Sequence, residues 1–471
     1  MVRNLQIRII KFLVLIPLYY IVGDKSIYLY VLSLALYKIF SCCFFNVSIK
    51  ETLKKYQDNY VKYKIFKLTS LIICVVSLVF LLLGIAISDV VGNILNINNS
   101  FLPFLLMGIS IVADPLVKNF LEYIESYNYK KFVRVMANIY DYLDVLLLIV
   151  VSLIGYRWLE LSDDVRNALL YLPKIISAVI INIILYLVVI RKKRLGLVKN
   201  KVGENVNYKE EIKIIINENN LGRFVLVSKE IFYYTSIIIL YLMLTKRYSY
   251  LLEDTTRIIT FVYFYGLNFI NLLIMVIIRR NNDGVSIFRR IYYVFDKLLS
   301  ISIILGVISP LVCMVIFNNR DWAIYLMMIG FMVIFTSLYE MTFKEINNYK
   351  LGYLSLGVGI LVKFILVIPL IDSFYRMGYN LVYGDIISTI VGMFISVIIN
   401  YIYLKRKDRE EKCFEKILKS LYENIFLCII LVIVQFIIPV MTDNYFIALI
   451  KIFGYVFISL MFLRFKEKRG M

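Results

Sequence analysis

Long apolar runs alternate with short polar and charged segments along the whole chain. The runs fall at 9–22, 27–47, 68–91, 101–123, 132–154, 168–190, 223–245, 257–278, 298–318, 322–343, 353–375, 381–404, 421–441 and 446–464. Wound as a helix, a run of about 20 apolar residues matches the hydrocarbon thickness of a bilayer. Inside that layer no water is available for peptide groups, so a helix that satisfies its own backbone is the expected form. The pattern predicts an all-α polytopic membrane protein with about fourteen transmembrane helices. An even number of spans returns both termini to one side.

The polar segments between the runs choose that side. Alternate segments are strongly basic: "IKETLKKYQDNYVKYKIFK" (49–67), "YKKFVR" (129–134), "RKKRLGLVKNK" (191–201), "RRNNDGVSIFRR" (279–290), "KEINNYK" (344–350), "KRKDREEKCFEKILK" (405–419) and "RFKEKRG" (464–470). The opposite segments are poor in base and carry Asp24, Asp89, Asp163, Asp164, Asp321 and Asp443. Basic residues gather on the cytoplasmic face of membrane proteins, which predicts a multi-pass protein with both termini cytoplasmic. The abundance of Ile, Lys, Asn and Tyr points to an AT-rich bacterial genome, and so to the bacterial cytoplasmic membrane.

Composition changes this picture little. The formal charge of +20 would suit a nucleic-acid partner, but its confinement to alternate loops assigns it to membrane topology and contact with anionic lipid. Histidine is absent, so no chemistry depends on an imidazole. Cys42, Cys43, Cys74, Cys313, Cys413 and Cys428 form no Cys-x-x-Cys pair and read as free thiols. Neither a metal site nor a cofactor is expected, beyond coupling to protons or sodium.

One short echo organises the chain. "ESYNYK" stands at 125–130 and "EINNYK" at 345–350, an offset of 345 minus 125, or 220 residues. Both follow the pattern Glu-x-x-Asn-Tyr-Lys, and both lie in basic loops, after the fourth and tenth spans. "INIILYLVVIRKK" (181–193) closes the sixth span much as "INYIYLKRK" (399–407) closes the twelfth. These matches predict a duplication of six spans. The resulting organisation is an N-terminal lobe at 1–194, a cytoplasmic linker at 195–222, a C-terminal lobe at 223–407 and two appended helices at 408–471. Six spans return the chain to its starting side, so the lobes are expected as parallel repeats about a pseudo-twofold axis along the membrane normal.

"IPLYYIVGDKSIYLYVLSLALYKIF" (16–40), with Ile16-Pro17-Leu18 and Gly23-Asp24, resembles the first loop of stage V sporulation protein B-type polysaccharide and lipid II flippases. These belong to the multidrug/oligosaccharidyl-lipid/polysaccharide (MOP) exporter superfamily. "YKLGYLSLGVGILVKFILVIPLID" (349–372) and "YGDIISTIVGMFISVIINYIYLKRK" (383–407) are similar to the family's eleventh and twelfth spans. The resemblance implies a V-shaped bundle of two six-helix lobes working by alternating access. It also implies a basic residue near the start of the eighth span, where Arg257 stands. Two departures are clear. Leu15 occupies the place of an Arg common before the Ile-Pro-Leu, and "FFNVSIKETL" (44–53) replaces a Leu-Pro after the second span. Either the family's cationic clamp is rebuilt from other positions, or the activity is altered.

Ionisable residues inside spans are costly and usually face a bundle interior or a wet cavity. Lys38, Asp141, Asp144 and Lys363 lie too deep to snorkel easily and are candidate cavity residues. Asp114 and Lys118 are four apart on one helix, and Lys229 adjoins Glu230; each pair reads either as a neutralised structural pair or as part of a transport path. Lys174 either snorkels outward or lines the cavity. Subtracting 220 from Lys363 gives position 143, beside Asp144, so the repeat sets a base and an acid cluster at similar depth. Pro115 and Pro369 are expected to kink their helices.

Lys38, Lys118, Lys174, Arg257 and Lys363 would supply charge to a diphosphate crossing a low-dielectric region. Asp114, Asp141 and Asp144 would bind the coupling ion or gate the path. The expected substrate is a lipid-linked sugar diphosphate, carried as lipid II or a polysaccharide repeat unit from the inner to the outer leaflet. Membrane lipids are the other partner, with a monomer working near glycosyltransferases and no nucleic acid. A drug or cation antiporter on the same fold remains an alternative, as does a degenerate, non-transporting scaffold. A membrane enzyme is disfavoured because the loops opposite the basic side are short.

Overall fold

The computed structural model describes residues 30–36, 39, 49–56, 58–95, 101–154, 170–191, 207, 210, 220–248, 252–266, 287–317, 322–346, 349–407, 413–437 and 444–469. Among these residues every extended element is a helix. In chain order they are α1 (Lys50–Lys55), α2 (Asn59–Leu95), α3 (Phe101–Glu125), α4 (Lys130–Leu153), α5 (Leu172–Arg191), α6 (Asn220–Lys246) and α7 (Leu252–Thr260). After a π-helical segment at Phe261–Gly266 come α8 (Ile287–Phe317), α9 (Ala323–Ile346), α10 (Tyr349–Arg376), α11 (Leu381–Lys407), α12 (Cys413–Ile437) and α13 (Tyr445–Arg469). Five described stretches are long and apolar enough to cross a membrane: Asn59–Val90, Phe104–Glu125, Phe295–Val315, Leu351–Arg376 and Leu381–Arg406.

Burial is inverted relative to a water-soluble protein. Leu71, Leu78 and Leu82 of α2, Leu361 and Ile365 of α10, and Phe453 of α13 are exposed, while Ser77, Ser355, Ser388, Thr389, Ser396, Asn400 and Ser420 are buried. Hydrocarbon solvates the leucines as well as a core would, so it drives no helix together; close packing and interhelical hydrogen bonds do that instead. The structure supplies such bonds. The Asn119 amide of α3 donates to Ser70 of α2 at 2.7 Å, and Ser396 of α11 donates to the Ser355 carbonyl of α10 at 2.9 Å. Asp296 of α8 accepts from Ser420 at 2.5 Å and from Asn424 at 3.0 Å, both on α12.

The chain divides into two compact units, Met1–Arg257 and Ile258–Met471. Within the first unit α6 packs on α2. Within the units the neighbours match. In the first, α2 packs on α3, α3 on α5, α4 on α5 and α3 on α4; in the second, α8 packs on α9, α9 on α11, α10 on α11 and α9 on α10. The two asparagines of the span-closing echo share a task. Asn182 of α5 donates to the Ala113 carbonyl of α3 at 3.4 Å, and Asn400 of α11 donates to Thr342 of α9 at 3.3 Å.

The six-letter echo marks equivalent junctions. "ESYNYK" forms the turn from α3 to α4, with the Asn128 amide donating to the Glu125 carbonyl at 2.9 Å. Asn128 lies in the left-handed region at φ 66°, where asparagine is favoured over most other residues. Tyr127 folds back under Lys62, whose ammonium lies 5.0 Å from the ring centroid, and burial raises the Tyr127 phenol pKa. In the second copy α9 ends at Ile346 and α10 opens at Tyr349, so the same letters again fall between two successive helices. Pro115 and Pro369 both lie inside helices, and Ser373 donates to the Pro369 carbonyl at 2.8 Å.

The tightest packing is between α10 and α11. A Cβ on Gly384 would meet the Ile371 backbone nitrogen at 2.5 Å and the Leu370 carbonyl carbon at 2.7 Å. Backbone cannot yield as a side chain does. Gly384→Ala is therefore expected to destabilise the protein by about 1–3 kcal/mol, as overpacking does. A thermal unfolding midpoint in detergent would check this, with Gly357→Ala as a control at a position where added volume meets nothing within 4 Å.

Candidate functional site

Among the described residues, each unit shows a lysine paired with an aspartate that also accepts a hydrogen bond from a tyrosine. The two clusters draw on different helices and differ sharply in exposure.

In the first unit the aspartate is Asp114, beside Pro115 in α3. The Lys174 ammonium of α5 lies 3.3 Å from its Oδ2, and the Tyr140 hydroxyl of α4 donates to its Oδ1 at 2.5 Å. Three packed helices thus contribute one group each. The Lys174 and Asp114 side chains retain 35% and 41% exposure, so this is an open pair. Asp144, one turn along α4 from Tyr140, is close enough for its charge to act on Lys174 and Tyr30. Tyr30 stacks at a tilt on Tyr171, whose hydroxyl is 2.5 Å from that of Ser33. One lysine faces Asp114 and Asp144 here, which leaves the neighbourhood acidic.

In the second unit the lysine is Lys363, midway along α10. Its ammonium lies 4.0 Å from Asp385 Oδ1 of α11, and both side chains are 0% exposed. The Tyr263 hydroxyl, from the π-helical segment, donates to Asp385 Oδ2. Oδ1 accepts no hydrogen bond among the described residues. This is a sealed pair held by charge more than by directional contacts.

These positions add partners to the charged residues named from the sequence. Beside the same-helix spacing of Asp114 and Lys118, Asp114 is met by Lys174 and Tyr140 from neighbouring helices. Lys118 is exposed on α3, and Arg257 is half-buried in α7. The 220-residue offset sets Lys363 beside Asp144, yet within its own unit Lys363 meets Asp385. Gly23, Asp24 and Lys38 lie outside the described residues, as do the side chains of Lys229 and Glu230. Among the described residues no group of three or more His, Cys, Asp or Glu could hold a metal ion.

The sequence reading missed Asp385, Tyr140 and Tyr263. Asp385 was legible, since it is an acid inside the apolar run 381–404. The tyrosines were not, because 38 are spread along the chain and nothing in their spacing marks two of them.

No family model matches the chain, and no curated protein matches it by sequence. Among solved structures, the lipid II flippase MurJ in an inward closed conformation is similar, with a TM-score of 0.55. That match covers 99% of this chain and 98% of the other at 14% identity. The fold is that of MurJ. The MurJ-like fold accounts for the polytopic helical architecture and for its extent, which includes the appended α12 and α13 as well as the repeated helices.

The two clusters should respond differently to loss of one partner. Exposed pairs contribute little, so Asp114→Ala is expected to cost about 0–1 kcal/mol of stability. Lys363→Ala strands a buried carboxylate and is expected to cost about 3–5 kcal/mol. Unfolding of the two variants in detergent, compared with the unaltered protein, would check the contrast.

Proposed function

We propose that the protein is a flippase for an undecaprenyl-diphosphate-linked envelope precursor, lipid II or a polysaccharide repeat unit, in the bacterial cytoplasmic membrane. The observation that carries this reading is the conjunction of a full-length MurJ-like fold with a buried lysine in the second unit and an accessible one in the first. A diphosphate needs cations to replace its hydration where the dielectric constant is low. Lys174 is placed to meet it first, because its pair with Asp114 is exposed and weakly held. Lys363 offers the stronger interaction once uncovered, since charge pairs strengthen as water is excluded. Lys118 and Arg257 add positive charge along the path, and Lys38 belongs to the same proposal on sequence grounds.

The carboxylates complete the cycle. Asp114, with Asp141 and Asp144 on α4, forms an acidic neighbourhood suited to a proton or sodium ion that drives the return step. Both termini and the basic loops face the cytoplasm in this reading, and the fourteen spans fall into two lobes of six, 1–194 and 223–407, with two appended helices. The protein works as a monomer beside the glycosyltransferases that build its substrate.

The test is growth of a cell depleted of its own lipid II flippase. The unaltered protein is expected to sustain growth, and the Lys174→Ala, Lys363→Ala double variant, expressed at equal level, is not. Growth with both would remove the lysines from the transport path. Growth with neither would move the substrate to another polysaccharide unit or favour a non-transporting role.

A further inference from the structure

The sealed cluster differs from a permanent structural ion pair. Two fully buried charges forfeit hydration that an apolar pair of similar size would never have had. Permanent pairs recover that loss through short contacts on both oxygens. Here Lys363 stands at 4.0 Å and Asp385 Oδ1 accepts no hydrogen bond among the described residues. The cluster is therefore less stable than its composition allows, and buried ionisable groups of this kind in spans point to function.

Its mechanics are uneven. Lys363 and Asp385 ride on α10 and α11, which are locked together by the backbone contact at Gly384 and by the Ser396 bond to Ser355. Tyr263 comes from a separate segment, Phe261–Gly266, with π-helical geometry. Such distortions are uncommon and are found disproportionately at functional sites. The rigid pair thus holds the charges while a separate, π-helical segment holds Tyr263 against Asp385.

We infer that Asp385 and Tyr263 form an internal counterion lock on Lys363, opened by withdrawal of Tyr263 and displaced by an incoming anionic diphosphate. A diphosphate outcompetes the carboxylate because it presents more charge and more acceptor oxygens to the ammonium. When no anion is present, Asp385 neutralises Lys363 and makes the empty protein tolerable in the membrane. Asp385 and Tyr263 are positioning residues in this scheme, acting on substrate through Lys363. The inference rests on the flippase reading for the identity of the anion, though not for the lock itself.

Two measurements on the purified full-length protein in detergent test it. One is labelling of Lys363 by a small amine-reactive reagent, read by mass spectrometry. The other is binding of undecaprenyl diphosphate. Tyr263→Phe removes one hydrogen bond to a charged group, which shifts an opening equilibrium by about tenfold or more. Labelling of Lys363 and diphosphate affinity are both expected to rise in Tyr263→Phe and in Asp385→Asn. Saturating diphosphate should protect Lys363 from the reagent in the unaltered protein. Asp89→Asn, at an exposed position of α2, should leave Lys363 labelling unchanged. Tyr263→Phe that remains folded yet labels no faster than the unaltered protein overturns the lock. Bound diphosphate that leaves Lys363 labelling untouched overturns the displacement. Faster labelling without any diphosphate binding keeps the lock and overturns the flippase reading.

Discussion

A charge inside hydrocarbon must be answered by another charge or by oriented dipoles, and the functional architecture follows from how that demand is met. Asp114, Asp385 and Asp296 are all met from neighbouring helices: Lys174 and Tyr140, Lys363 and Tyr263, Ser420 and Asn424. Each carboxylate binds helices that apolar contact alone would leave indifferent to one another. Polar groups here do the work of specifying contacts that a hydrophobic core does in water.

The same demand separates two kinds of ion pair. The Lys174 and Asp114 side chains keep partial exposure, so the pair can be reached without breaking the packing around it. Lys363 and Asp385 have none, so their attraction is strong and their separation costly. In the proposed flippase both conditions serve the anion: a weakly held cation receives it, and a strongly interacting one carries it through the region of lowest dielectric.

The small residues belong to this scheme. Gly384 lets α10 and α11 approach at backbone distance, fixing the lysine and aspartate against one another, while Tyr263 arrives on a segment whose helical hydrogen bonding is already irregular. The charges are held by two closely packed α-helices, and the tyrosine that meets the aspartate comes from a π-helical segment. The Asp296 network on α8 and α12 contrasts with this arrangement. Its hydrogen bonds are short and several, and it anchors an appended helix.

Much of this was legible in the letters. Runs of apolar residues as long as a bilayer is thick leave helices as the only backbone solution, and the Glu-x-x-Asn-Tyr-Lys echo located two helix junctions, the first of them built on Asn128 in a left-handed turn. The span-closing asparagines, Asn182 and Asn400, were visible as a pattern and proved to bridge equivalent helices. Lys174 and Lys363 stood out as ionisable residues in apolar surroundings, and Asp385 stood there too. Which of them pair across helices did not stand out. Asp114 meets Lys174, sixty residues away, because α3 packs against α5. Exposure was equally hidden, since identical residue types form an open pair in one unit and a sealed one in the other. Sequence determined the solvent, the helices and their repetition, because those depend on local pattern and length. Which charges meet, and whether water reaches them, was decided only when distant helices came into contact.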